Sequence, residues 1–226
     1  MFFSKTKGIV FDLDGTLINS PIDFLGMKHS IIELLEENGV EHGTLSKFDT
    51  NILILEKTEK AWNTQKKSEI EREKIRVKIE KIMNSYELEA LSSIKEVNGV
   101  KESVRRLAEE GYKLAVLTRS HHAYAVEALK KINIYDYFNV ILGREETPRP
   151  KPYADALKHA AKLLCLSMDE IVYIGDNYID FNSAINAGCR FIGVRSGPFG
   201  DKSWGQKKPD VLIKSVKDLP GFLSTN

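Results

Sequence analysis

The sequence places six polar side chains just after short apolar segments, or in the loop that follows one: Asp12, Asp14, Thr118, Lys151, Asp176 and Asp180. Carboxylates that lie close together cannot all stay ionised unless a cation is present. Ligand oxygens without histidine or cysteine favour a hard ion, with magnesium as the first choice. If the apolar segments are neighbouring strands, we expect a Mg2+ site with a lysine and a hydroxyl beside it.

The apolar segments have the length and composition of buried parallel strands. They cover residues 8–13, 113–117, 138–142, 171–174 and 191–194, with 211–213 as an edge strand. Helical patterns at 100–110, 123–131, 153–164 and 180–187 lie between the later segments. This alternation predicts an α/β fold with a doubly wound parallel sheet. Ligands of such sheets bind at the carboxyl ends of the strands, where the polar side chains stand.

Residues 18–97 interrupt the alternation, because no strand-like segment flanked by turns occurs there. Two sets of apolar residues instead recur at helical spacing, namely Phe24, Met27, Ile31, Leu34 and Leu35, and then Ile75, Ile79, Ile82, Met83 and Tyr86. We interpret the charged run 66–81 as the solvated face of the second helix. The sequence therefore predicts a discontinuous Rossmann-like core of residues 1–17 and 98–226 and an inserted helical domain of residues 18–97.

Composition narrows the classes of partner. The 226 residues carry 33 lysines and arginines against 32 aspartates and glutamates, a net charge of +1. Such a balance gives no argument for nucleic acid or an anionic membrane as a partner, and we expect neither. No segment has the ~18 apolar residues of a membrane span. Cys165 and Cys189 lack metal-ligand spacing and are expected to be reduced core thiols. We expect a cytoplasmic protein, monomeric or homodimeric.

Four motifs in order resemble the haloacid dehalogenase-like superfamily in its phosphatase form. They are Asp-Leu-Asp-Gly-Thr from Asp12, a threonine at the end of the second strand at Thr118, a lysine before proline and a helix at Lys151, and Gly175-Asp176 followed by Asp180 and Ala187-Gly188. The inserted helices are similar to the helical cap of the phosphoglycolate phosphatase-like branch. The resemblance covers nearly the whole core.

The resemblance implies a phosphohydrolase acting on a small phosphorylated metabolite. Asp12 would be the nucleophile that forms an aspartyl-phosphate, and Asp14 the general acid and base. Magnesium would bind Asp12, the backbone carbonyl of Asp14, and Asp176. Thr118 and Lys151 would hold phosphate oxygens.

Other positions are implied as supporting or substrate-binding residues. Amides of the loop around Gly15 would donate to the phosphate, and Asp180 would orient Lys151 or a metal-bound water. Asn177 is either a phosphate or water contact or a plain turn residue. Arg119 stands where the family usually has asparagine or serine, and we expect it to influence which anion is favoured beside the phosphate. Ala154 replaces a proline common after the motif lysine.

Several alternatives stay open on sequence grounds. A phosphosugar mutase of the same family uses the same two aspartates. A 2-haloacid dehalogenase needs no metal and typically lacks an acid at the position of Asp14. A receiver-type signalling module lacks the Asp-x-Asp pair and the long insertion. A non-catalytic phosphate-binding module is disfavoured because every catalytic position is filled.

Overall fold

The computed structural model describes residues 3–49, 51–204, 209 and 211–225, and its core is a sheet of six parallel strands. The strands are β1 (Gly8–Phe11), β4 (Lys113–Leu117), β5 (Val140–Leu142), β6 (Ile171–Gly175), β7 (Arg190–Val194) and β8 (Leu212–Ile213). Their order in the sheet is β5-β4-β1-β6-β7-β8. The predicted α/β parallel sheet is therefore confirmed, and β1 lies at its centre between β4 and β6.

Both faces of this sheet are buried. The helices of the core are α4 (Val100–Glu109), α5 (His122–Lys131), α6 (Ala154–Leu163), α7 (Tyr178–Ala187) and α8 (Leu219–Thr225). Val10, Ala115 and Tyr173 share a hydrophobic cluster with residues of α6 and α7. Ile9 and Phe11 alternate with Val10 along β1 and are also fully buried. A parallel strand buried on both faces needs a continuous apolar run, and 8–11 has one.

Three helices make up most of the second unit: α1 (Phe24–Glu37), α2 (Asn51–Thr64) and α3 (Glu69–Leu91). By contact density the chain divides into Met1–Ser20 with Leu91–Asn226, and Pro21–Ala90. The helical unit has its own apolar core, which includes Ile32, Leu35, Trp62 and Ile75. Among the described residues, no helix is both long and apolar enough to cross a membrane.

Three expectations about local structure are wrong. We expected no strand in residues 18–97, but a short strand lies at each end of this range. These are β2 (Ile18–Asn19) and β3 (Lys95–Glu96), which pair antiparallel where the chain leaves and re-enters the first unit. Phe24, at the first position of α1, is 53% exposed rather than part of the buried stripe. Cys165 is an exposed free thiol, since it follows the end of α6 in a left-handed conformation with φ of 55°.

Candidate active site

Three neighbouring strands bring Asp12, Thr118 and Asp176 to one edge of the sheet. Asp12 follows β1, Thr118 follows β4 and Asp176 follows β6. The Asp12 amide donates to the Ile174 carbonyl at 2.8 Å, and the Thr118 amide donates to the Leu142 carbonyl at 3.0 Å. Strand pairing therefore extends to the first residue beyond β1 and β4, so those two side chains start from rigid backbone.

Lys151 lies inside this group of carboxylates and is only 5% exposed. Its Nζ donates to Asp12 Oδ1 at 2.5 Å and to Asp180 Oδ1 at 2.7 Å. The Tyr173 hydroxyl donates to the same Asp180 oxygen at 2.8 Å. A buried ammonium needs such partners, because an unpaired charge in this setting is costly. The structure thus brings Lys151 to Asp12 and Asp180 from a loop far away in the sequence.

The carboxylates carry more negative charge than Lys151 neutralises. Burial raises the pKa of Asp12 well above its usual range, and the charges of Asp180 and Asp176 add to that rise against the opposing effect of Lys151. Burial and then Asp180 raise the pKa of Asp176 to about 7. Burial alone would lower the pKa of Lys151, but Asp12 and Asp180 raise it overall. Lys151 therefore stays charged while the carboxylates around it compete for protons.

This cluster fits a hard divalent cation. One carboxylate oxygen from each of Asp12, Asp176 and Asp180 lies within 4.8 Å of the other two. The second oxygen of Asp180 is buried and has no hydrogen-bond partner in the described part of the chain. Carboxylate oxygens are the ligands that Mg2+ prefers, and a cation would offset the excess negative charge. The side chain of Asp180, predicted as a residue that orients Lys151, thus lies near both the lysine and the other carboxylates.

Asp14 has a different environment although it is two residues from Asp12. Its Oδ1 accepts a hydrogen bond from the Tyr124 hydroxyl at 3.0 Å, and its Oδ2 accepts one from the Ser120 hydroxyl at 3.0 Å. Burial raises the pKa of Asp14, while hydrogen bonds from Ser120, Tyr124 and Ser20 act in the opposite direction and only reduce the rise. Asp14 is therefore held by neutral hydroxyls, and the charge of Lys151 lowers its pKa less than they do.

Two glycines enclose the Asp176 carboxylate. Gly15 has a φ of +89°, and a Cβ there would lie 2.6 Å from Asp176 Oδ2. A Cβ on Gly197 would lie 1.8 Å from the same oxygen. The Ser196 hydroxyl donates to the Gly15 carbonyl at 2.8 Å, which ties the loops after β1 and β7 together. Asn177 donates from Nδ2 to Asp176 Oδ1 at 3.0 Å and caps the amino end of α7 with its own oxygen.

The loop after β4 contributes Thr118, Arg119 and Ser120. Thr118 is 3% exposed, and its hydroxyl oxygen accepts from the Ser120 amide at 3.0 Å. Burial lowers the pKa of the Arg119 guanidinium, while the negative charges of Asp180 and Asp12 oppose that change.

Sequence reasoning missed several residues that shape this site: Tyr124, Ser120, Tyr173, Ser196 and Gly197. Ser120 and Gly197 stand in loops after strands, so the rule that placed Asp12 there was also a signal for them. Tyr124 and Tyr173 lie in a helix and a strand with ordinary apolar patterns. Nothing in those patterns shows that their hydroxyls reach Asp14 and Asp180.

Comparison with known proteins finds a family model and named relatives that are similar to this chain. The family model for haloacid dehalogenase-like hydrolases matches residues 9–194. The chain is 31% identical to Pyrophosphatase PpaX from Listeria monocytogenes over 126 residues, which span 56% of this chain and only 58% of that protein. It is 23% identical to Phosphoglycolate phosphatase from Shigella boydii over 233 residues, covering 96% of this chain and 92% of that protein.

A solved structure shares the fold along nearly the whole chain. The crystal structure of a predicted phosphoglycolate phosphatase from Haemophilus somnus superposes with a TM-score of 0.67 at 25% identity, covering 97% of this chain and 98% of that one. The matched residues 9–194 include all six of the predicted site residues Asp12, Asp14, Thr118, Lys151, Asp176 and Asp180. The chain therefore belongs to the haloacid dehalogenase-like hydrolase family.

Proposed function

We propose that this chain is a magnesium-dependent phosphatase that hydrolyses a small phosphate monoester through a phosphorylated Asp12. The observation that carries the proposal is the contrast between two carboxyls two residues apart. Asp12 contacts Lys151 and lies beside Asp176 and Asp180, whereas the hydroxyls of Ser120 and Tyr124 donate to Asp14. A nucleophile needs to be an anion beside phosphate-binding cations, and a general acid needs to hold a proton.

The reaction follows in two steps. A carboxylate oxygen of Asp12 attacks phosphorus, the bond to the ester oxygen breaks, and Asp14 gives its proton to that leaving oxygen. Water then attacks the phosphorus of the aspartyl-phosphate while Asp14 accepts a proton from it. The bond between Asp12 and phosphorus breaks, so the product is inorganic phosphate and the enzyme returns to its first state.

Other residues hold the phosphoryl group. Lys151 and the Thr118 hydroxyl bind its oxygens, with backbone amides of the Gly15 loop as further donors. Asp12, Asp176 and the Asp14 carbonyl would hold the magnesium ion, which offsets the repulsion between the Asp12 carboxylate and the phosphate when bound. Asp180 keeps Lys151 in place, and Asn177 keeps Asp176 in place.

The names of the relatives suggest the substrate class. Phosphoglycolate carries a carboxylate and pyrophosphate carries a second phosphate, so both present a second anionic group near the phosphoryl group that is transferred. Arg119 is the residue we propose to meet that group, since a guanidinium binds carboxylates and phosphates through paired N–H donors. The helical unit is proposed to act as the cap that excludes water and selects the substrate.

Release of inorganic phosphate from a panel of small phosphate esters and pyrophosphate tests the proposal. We expect turnover with magnesium, manganese or cobalt and inhibition by calcium. Calcium accepts more ligands in looser geometry, so it would engage both oxygens of Asp12 and block its attack. Full turnover after exhaustive chelation would contradict the metal requirement, and no release from any ester would contradict the phosphatase assignment.

A further inference from the structure

Hydroxyl groups hold both oxygens of the Asp14 carboxyl, and the two donors come from α5 and the loop before it. Tyr124 Oη and Ser120 Oγ each lie 3.0 Å from a different oxygen of Asp14. We propose that Tyr124 and Ser120 are positioning residues that aim the Asp14 carboxyl at the leaving-group oxygen. The proposal rests on the function above, in which Asp14 protonates that oxygen.

The first support is that Tyr124 stands on a rigid element. Tyr124 is 2% exposed, and Ala125, Ala128 and Leu129 of the same helix are fully buried. The start of α5 is fixed as well, because the His121 side chain accepts from the Ala123 amide at 3.1 Å. A donor placed on a packed helix holds its partner to tighter limits than a donor on a mobile side chain.

The second support is that a third hydroxyl completes a network around Asp14. The Ser20 hydroxyl lies 2.8 Å from the Tyr124 phenol oxygen, and Ser20 also forms a side-chain hydrogen bond with Asp14. The same residue therefore contacts both the phenol and the Asp14 carboxyl, and this helps to fix the two groups relative to each other.

The third support is that two anchors define the plane of the carboxyl. One hydrogen bond leaves the end of the side chain free to turn about its last bond, whereas bonds to both oxygens remove that freedom. Proton transfer needs the acid within hydrogen-bond reach of the leaving oxygen, and small displacements cost much rate. A purely structural Tyr124 would need its ring for packing, but it would not need the hydroxyl to reach Asp14.

Tyr124→Phe tests the proposal because it keeps the ring and removes only the hydroxyl. The quantity to measure is kcat/KM, which reports the steps up to departure of the leaving group. Phenyl phosphate has a poor leaving group that needs protonation, and 4-nitrophenyl phosphate has a good one that needs little. We expect kcat/KM to fall about 10- to 100-fold with phenyl phosphate, a share of the full effect of a general acid, and less than about threefold with 4-nitrophenyl phosphate.

Tyr112→Phe is the matched control, since Tyr112 precedes β4 at the end of the strand opposite Thr118. We expect Tyr112→Phe to have the same kcat/KM as the wild-type enzyme with both substrates. Ser120→Ala is the second variant and should show the same dependence on the leaving group. It keeps the proposal testable if Tyr124→Phe does not fold.

The outcomes are distinguishable. Equal losses with both substrates, or no loss with either, in both Tyr124→Phe and Ser120→Ala would overturn the positioning role while leaving the phosphatase assignment intact. A wild-type enzyme that hydrolyses neither ester would instead contradict the proposed function, and the positioning role with it.

Discussion

Asp12 and Asp14 are two residues apart, yet the fold surrounds them with different chemistry. Asp12 ends a central strand and lies among a lysine and two further carboxylates. Asp14 lies on the loop that follows, where Ser120 and Tyr124 donate to its two oxygens. Burial raises the pKa of both carboxyls. The largest opposing effect comes from the charge of Lys151 for Asp12 and from the Ser120 and Tyr124 hydroxyls for Asp14.

This difference is the basis of the two roles that we propose for one short motif. The Asp12 cluster contains three carboxylates and one lysine, so it has an excess of negative charge. A cation added there would offset that excess and favour the ionised form of the Asp12 carboxyl. Asp14 differs, because the described hydrogen bonds to its carboxyl come from hydroxyl groups. Two carboxyls whose surroundings differ in this way are suited to the roles of nucleophile and acid.

Asp12→Asn should produce the largest effect, because an amide is not a usable nucleophile. We expect turnover to fall on the order of 10^5-fold or more, as removal of a nucleophile does in other enzymes. No covalent phosphate should be detectable after acid quench. Asp169→Asn serves as the control, because it is a change of the same type at an exposed position on the surface of the sheet unit. Normal turnover by Asp12→Asn would show that Asp12 is not the nucleophile.

Asp14→Asn should have the next largest effect, and it should depend on the substrate. Loss of the acid and base costs roughly 100- to 10,000-fold with a poor leaving group. With 4-nitrophenyl phosphate the first step should survive, so a burst of nitrophenol about equal to the enzyme should precede a slow phase. Rapid-mixing absorbance measures the burst. Equal impairment of both steps with both substrates would mean that Asp14 does not supply the proton.

The metal-free protein should lose stability as pH rises. The pKa of Asp176 is about 7 in the folded state against an ordinary value of 3.8, so between these values the folded state holds a proton that the unfolded chain has released. The free energy of unfolding should then fall by about 2–4 kcal/mol between about pH 4 and pH 7. Urea unfolding after chelation measures this change.

Magnesium should restore more stability at pH 8 than at pH 5, because a cation binds the ionised carboxylates. Asp176→Asn should flatten the pH dependence, since it removes the group with the raised pKa. A metal-free protein that gains stability from pH 5 to pH 8 would contradict the account of an uncompensated cluster.

The smallest effect is expected from Arg119→Gln. If the guanidinium meets a second anionic group, its loss should lower kcat/KM for phosphoglycolate about 10- to 100-fold, the range for a hydrogen bond to a charged group. 4-Nitrophenyl phosphate lacks that group and should be nearly unaffected. Arg119→Lys should recover part of the loss by retaining the charge. Equal losses for both substrates would remove Arg119 from the proposed selectivity.

Much of the fold was predictable because parallel strands have a simple pattern. The apolar runs before Asp12, Thr118 and Asp176 predicted the central strands, and the rule about strand ends predicted that these side chains would meet. The short pairing of β2 with β3 was not predictable, because each strand has only two residues and depends on a partner far along the chain. Local patterns carry no signal for such pairs.

The supporting contacts of the site were beyond sequence reasoning for the same reason. Whether Tyr124 reaches Asp14 depends on how α5 packs on the sheet, and its own segment shows only an apolar helix face. Gly197 matters because its backbone approaches Asp176 too closely for a Cβ. That requirement exists only once the loops after β1 and β7 are side by side.

The location of the phosphoryl group during turnover shows directly whether Asp12 is the nucleophile. Borohydride reduces an aspartyl-phosphate to homoserine, so the enzyme would be quenched during steady-state hydrolysis, reduced and digested for peptide mass spectrometry. We expect homoserine at position 12 and aspartate at position 14, with a yield of homoserine that depends on magnesium. Homoserine at position 14, or none at position 12 while phosphate is being released, would show that Asp12 is not the nucleophile.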